Sequence, residues 1–141
     1  RHGHMYLHRE FSPWALGSGS HYFLLILSHH DGLTQAELTE VLHLDKANTT
    51  RTIKKLLEDG YVHKQQDPHD HRAVRIYLTD KGRSLVPKIR SILHNWTDIL
   101  TIGMLPSEKK DSLRLLKKMV DNAVKHVKGN GSKHHKCKKI S

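Results

Sequence analysis

Residues 67–82, DPHDHRAVRIYLTDKG, set His69, Asp70 and His71 side by side, offering imidazole and carboxylate groups of the kind that bind transition metals. More imidazoles stand at His2, His4 and His8, at His29 and His30, and in HHKC at 134–137, where Cys137 adds the chain's single thiol. A zinc site needs three or four ligands converging in a closed geometry, which two histidines on a turn do not supply. One cysteine excludes an intrachain disulfide and a four-cysteine zinc module. No set of acidic and histidine side chains suited to a metal-dependent hydrolase lies outside loops and termini, so no catalytic residue, metal or cofactor is expected.

A second set of side chains suits a different chemistry. Lys46, Asn48, Thr50, Arg51, Lys54 and Lys55 combine amide and hydroxyl groups that can bond base edges with cations that can sit on phosphates. The whole chain carries 24 Lys+Arg against 14 Asp+Glu, a net charge of +10, which attracts polyanions such as nucleic acid or an anionic membrane. Its longest apolar run, Tyr22 to Leu27, is far shorter than the roughly 20 residues a membrane helix needs. The expectation is a cytoplasmic protein; charge alone does not choose between the two polyanions, and double-stranded DNA, not membrane, becomes the expected partner from the order of elements that follows.

These groups have to be positioned by elements whose signals are local. A modest first helix around Tyr6 to Trp14 ends at Pro13 and the Gly17-Ser18-Gly19 loop, and residues 1–4 add little to that pattern. Ser20 to His30 reads as a buried helix, capped by Ser20 and stopped by Gly32. Thr34 with Glu37 three residues on forms a capping box for a short helix whose apolar face is Ala36, Leu38, Val41 and Leu42. Asp45 caps a second helix, closed by Gly60, with Ala47, Ile53, Leu56 and Leu57 on its apolar side.

After Gly60 the apolar period changes from helical to two. Val74, Ile76 and Leu78 share one strand face, and Tyr61 to Gln66 can pair with that strand as a hairpin across the Pro68 turn. Thr79 and Asp80 start a long helix striped by Leu85, Ile89, Ile92, Trp96 and Ile99, and Pro87 should kink it mildly. Ser107 starts another long helix, striped by Leu113, Leu116, Val120, Ala123 and Val127. From Gly129 the chain is Lys-, His- and Gly-rich without apolar periodicity, which predicts a disordered basic tail.

A short helix, a tight turn, a basic helix and a hairpin form a winged helix-turn-helix, within a fold that is mainly α with one small β hairpin. LTQAEL at 33–38, DKANTTR at 45–51, LLEDGYV at 56–62, Asp70 with Arg72, and LTDKG at 78–82 closely resemble the MarR family of winged helix-turn-helix transcriptional regulators. The resemblance is concentrated between Leu33 and Gly82; outside it rests on helix order.

The resemblance implies a homodimeric, non-enzymatic regulator, most often a ligand-responsive repressor, reading a pseudo-palindromic operator. Residues 1–31 would contribute to dimerisation and core, 32–80 would be the DNA-binding lobe, 81–128 the C-terminal dimerisation helices, and 129–141 the tail. DNA contacts would come from Gln35, Lys46, Asn48, Thr50, Arg51, Lys54 and Lys55. Arg72 would enter the minor groove with its guanidinium held by a bidentate pair to Asp70. Family members often take a small anionic aromatic effector, for which Tyr6, Arg9, Trp14, His21 and Tyr22 are the nearby side chains. A metal-responsive regulator of the same fold and a non-specific architectural DNA-binding protein are the alternatives.

Overall fold

The structure, a computed structural model, describes residues 1–17 and 19–134. It divides into two compact units, residues 1–99 and 100–141. The first holds α1 (His2–Phe11), α2 (Ser20–His29), β1 (Leu33–Thr34), α3 (Gln35–Val41), α4 (Lys46–Glu58), β2 (Val62–Gln66), β3 (Val74–Leu78) and nearly all of α5 (Asp80–Leu100). The second holds α6 (Pro106–His134).

The capping box forms as expected: the Glu37 amide donates to Thr34 Oγ1 at 3.2 Å and the Thr34 amide to Glu37 Oε2 at 2.7 Å. Asp45 Oδ1 accepts from the Asn48 amide at 2.7 Å and starts α4. Between these helices the chain turns through His43, whose φ of 51° is left-handed. Leu38 of α3 and Thr49, Ile53 and Leu56 of α4 are buried, joining Phe11, Phe23, Leu24, Leu27, Ile76, Leu85 and Ile89 in one core.

The sheet is antiparallel with strand order β1-β3-β2, and its register sets Val62 opposite Leu78 and Gln66 opposite Val74. The expected hairpin is therefore present, with an added strand: Leu33 and Thr34 pair with Ile76 and Arg75. Two residues are too few to show periodicity. Several other expectations change. Helix α1 begins at His2, and Phe11 ends it before Pro13 can. Gly19, left-handed at φ 82°, is the N-cap of α2 where Ser20 was expected. Ala36, Val41 and Ala47, expected on apolar faces, are exposed, because α3 and α4 are held by the narrower line of Leu38, Ile53 and Leu56.

The turn into α5 explains LTDKG. Thr79 Oγ1 donates to the Gly60 carbonyl at 2.7 Å, Lys81 Nζ donates to the Asp59 carbonyl at 2.7 Å, and Gly82 packs where a Cβ would lie 2.2 Å from the Tyr61 carbonyl oxygen. Leu85, Ile89 and Ile92 are buried within their own unit, so most of the α5 stripe is already covered; Ile99 and Leu100 at its end are exposed. In α6, by contrast, Leu113, Leu116, Met119, Val120 and Val127 are all exposed. Helix α6 also continues to His134, beyond the predicted start of a disordered tail at Gly129. Residues 135–141 of that tail, with Cys137, lie outside the described residues.

Candidate nucleic-acid interface

Helix α4 separates its two tasks by phase. Thr49, Ile53 and Leu56 face the core, while Lys46, Thr50, Arg51, Lys54 and Lys55 are exposed and Asn48 is half-buried. Lys55 turns toward its own C-terminus and pairs with Asp59 at 2.9 Å, a contact that raises its pKa; Lys54 lies 3.9 Å from Glu58. These two cations are thus partly neutralised in the free protein. Among the described residues no carboxylate stands within ion-pair distance of Lys46, Arg51 or Arg72. Gln35, at the start of α3, donates through Nε2 to Thr50 Oγ1 at 2.6 Å and so fastens the two helices at their exposed edge.

The wing is organised by a residue that sequence reasoning did not single out. Asp67 is 6% exposed; its Oδ1 accepts from the backbone amides of His69 at 2.8 Å and Asp70 at 3.2 Å, and its Oδ2 accepts from Arg75 Nε. The His69 amide first, then Arg75 and the Asp70 amide, hold the Asp67 carboxyl down to about 2. Arg75 in turn donates to the Gly32 carbonyl at 2.8 Å and lies 3.8 Å from Glu37 Oε2. One guanidinium therefore joins the wing to the α2–β1 loop and to the first turn of α3. The signal available in the sequence was Asp67-Pro68, a common opening for a turn closed by the side chain onto the backbone.

The expected Asp70–Arg72 side-chain pair is not formed. Asp70 Oδ1 accepts from the backbone amide of Arg72 at 2.9 Å, and the Asp70 carbonyl accepts from Ala73 at 2.9 Å. Asp70 thereby shapes the turn, because a short acidic side chain reaches an amide two residues on more readily than it can follow a long guanidinium. Gln66 Nε2 closes the far side with a 2.6 Å bond to the His71 carbonyl. His69 and His71 are exposed on this turn, and among the described residues no group of three or more His, Cys, Asp or Glu side chains could hold a metal ion.

Known proteins match both the sequence and the fold that carry this helix and wing. The sequence profile described as MarR family matches residues 19–74. The HTH-type transcriptional regulator BilQ of Clostridioides difficile is 30% identical over 79% of this chain and 76% of its own length. The chain belongs to the MarR family. A MarR transcriptional regulator from Methanosarcina mazei superposes with a TM-score of 0.82 at 35% identity, covering 89% of this chain and 90% of that one. A mutant MarR from E. coli in complex with operator DNA gives a TM-score of 0.73 at 25% identity, covering 82% and 84%. Like its MarR-family relatives, this protein is a DNA-binding transcriptional regulator with a winged-helix fold, and not an enzyme.

Of the five side chains expected near a MarR-type effector, Arg9 and Tyr6 adjoin, with the guanidinium 5.5 Å from the ring centroid, and His21 and Tyr22 adjoin, with centroids 4.1 Å apart. Tyr6 stacks on Trp96 with centroids 4.9 Å apart, Arg9 pairs with Glu10 at 2.9 Å, and Trp14 carries Lys88 Nζ 5.3 Å from its ring centroid. His21 and Tyr22 line a common cavity of about 100 Å³, together with His4 and His8. His21 is buried with both ring nitrogens lacking a hydrogen-bond partner, and it lies between Phe11 and Tyr22 at 4.7 and 4.1 Å. Burial, and then the charge of nearby His4, lower its pKa to about 4. Among the described residues no helix is long and apolar enough to cross a membrane.

Proposed function

We propose that the protein is a sequence-specific regulator that binds a pseudo-palindromic operator as a homodimer and acts as a repressor. The observation that carries the reading is the shared exposure of Lys46, Arg51 and Arg72, unneutralised, beside Asn48 and Thr50 on a lobe locked by Arg75. With α4 in the major groove, Asn48 and Thr50 meet base edges, while Lys46, Arg51, Lys54, Lys55 and Gln35 meet phosphate. Arg72, at the tip of the hairpin, reaches the adjacent minor groove. Asp70 serves this contact by fixing the backbone from which Arg72 projects.

Dimerisation is supported by the exposed apolar stripe of α6, since a face of that composition is stable only against a partner. A second copy offers an identical face, and two winged lobes would then address two half-sites about one helical turn apart. A small anionic aromatic effector would enter beside His21. At about 100 Å³ the cavity must widen for it, which gives release from DNA a structural cost to work through.

A gel-shift titration tests the reading. Binding to the gene's own upstream region should exceed binding to random DNA by about 1000-fold and weaken steeply with salt. Substituting Arg72→Ala should cost about 1 to 3 kcal/mol in DNA binding with the fold intact. Equal affinity for random DNA would leave an architectural protein in place of a regulator, and binding that needs zinc would leave a metal-responsive one.

A further inference from the structure

Thr50 stands on the exposed face of α4 proposed to meet the bases, yet its hydroxyl is already engaged once as donor and once as acceptor. Its Oγ1 lies 2.7 Å from the Lys46 carbonyl oxygen and 2.6 Å from Gln35 Nε2. A carbonyl can only accept, so the single hydroxyl proton goes to Lys46, and the Gln35 amide then donates to the hydroxyl oxygen. No proton is left for guanine O6 and N7, adenine N7 or thymine O4, the hydrogen-bond acceptors on the floor of the major groove. Apart from one oxygen lone pair, which could accept only from the amino group of an adenine or cytosine, what Thr50 has left to present is its methyl.

The partner for a methyl in the major groove is the C5-methyl of thymine. We infer that Thr50 selects a thymine within the bound site by apolar contact of its methyl, with Gln35 holding the hydroxyl turned back against the protein. The inference rests on the DNA-binding reading given above and adds a base preference to it. Gln35 acquires a role distinct from phosphate binding: it is a positioning residue that decides which face of Thr50 the DNA meets.

The probe is a duplex selected by the full chain from a random-sequence pool, in which each thymine of the consensus is replaced in turn by deoxyuridine, which lacks only the methyl. Wild-type protein and Thr50→Val, which keeps the methyl and loses the hydroxyl, should both weaken about fourfold at one and the same thymine, the change that corresponds to one methyl withdrawn from apolar contact. Thr50→Ser, which keeps the hydroxyl and loses the methyl, should bind the thymine and deoxyuridine duplexes equally. Both substitutions alter an exposed position, and far-ultraviolet circular dichroism checks that the helices are intact. The inference is overturned if the deoxyuridine effect survives in Thr50→Ser, if it vanishes in Thr50→Val, or if wild type responds at no thymine. A selection that returns no consensus sequence would overturn sequence-specific binding itself, and is told apart from the other outcomes because it appears before any substitution is made.

Discussion

The wing turn and the α1–α2 junction solve the problem of buried polar groups in opposite ways. At the wing, Asp67 is almost wholly buried and every oxygen of its carboxylate is bonded, to two backbone amides and to Arg75. At the junction, His21 is equally buried and neither ring nitrogen has a partner. Satisfied burial fixes a shape, whereas unsatisfied burial costs free energy that any better-bonded arrangement can recover. The wing turn thus carries the first kind, and the α1–α2 junction carries the second.

Acid should break this comparison most visibly. The folded pKa of His21, about 4, lies below its ordinary value near 6.5, so the folded state binds fewer protons than the unfolded one between those values. Its contribution is present above pH 6.5 and is lost as pH falls through 6.5 toward 4. At 1.36 kcal/mol per pKa unit the loss is roughly 3 kcal/mol, read as the difference between urea unfolding at pH 7 and pH 4. The variant His21→Phe should show a correspondingly flatter pH dependence. Asp67 has the opposite sign: its depressed carboxyl contributes stability above about 3.8 that is lost only as pH falls toward 2, so the wing should hold its shape across the range in which the junction weakens.

The next effect is on the wing itself. Substituting Asp67→Ala removes the acceptor for His69, Asp70 and Arg75 together, and DNA affinity should fall about tenfold or more, within the range of a lost groove contact. Amide exchange at His69 and Asp70 should accelerate in the same variant. Unchanged affinity would mean that Arg72 needs no fixed backbone to reach DNA.

The smallest effect sharpens the role of Asp70. Its replacement by Asn keeps an oxygen able to accept from the Arg72 amide, so Asp70→Asn should cost less than about 0.5 kcal/mol in DNA binding, while Asp70→Ala should cost about 1 kcal/mol, the worth of one ordinary hydrogen bond. A loss in Asp70→Asn as large as that in Asp70→Ala would restore a direct charge contact with the Arg72 guanidinium.

What could be read from the sequence was what local rules govern. Asp45 and the Thr34–Glu37 box announced their helices because a cap and its target are three residues apart, and the alternation of Ile76 and Leu78 announced β3. Arg75 could not be found this way, because Gly32 and Glu37 lie some forty residues from it and meet it only once β1 has paired with β3. The Asp70–Arg72 expectation chose the right residues and the wrong atoms, since residue spacing does not say whether a carboxylate will reach a side chain or the nearer backbone amide. In α5 the apolar stripe was plain, but its burial inside its own unit depended on core partners such as Phe11 and Leu27.

The join between Tyr61 and Gly82 has one more consequence. The Tyr61 carbonyl meets both Thr79 Oγ1, at 3.1 Å, and the bare face of Gly82, while the Tyr61 hydroxyl donates to the Trp14 carbonyl at 2.8 Å. The long helix is therefore anchored at the base of the hairpin. Insertions or deletions between Pro68 and Ala73 would change how far the wing reaches while leaving this anchor of α5 in place, so the reach of the wing and the setting of the long helix are free to diverge separately.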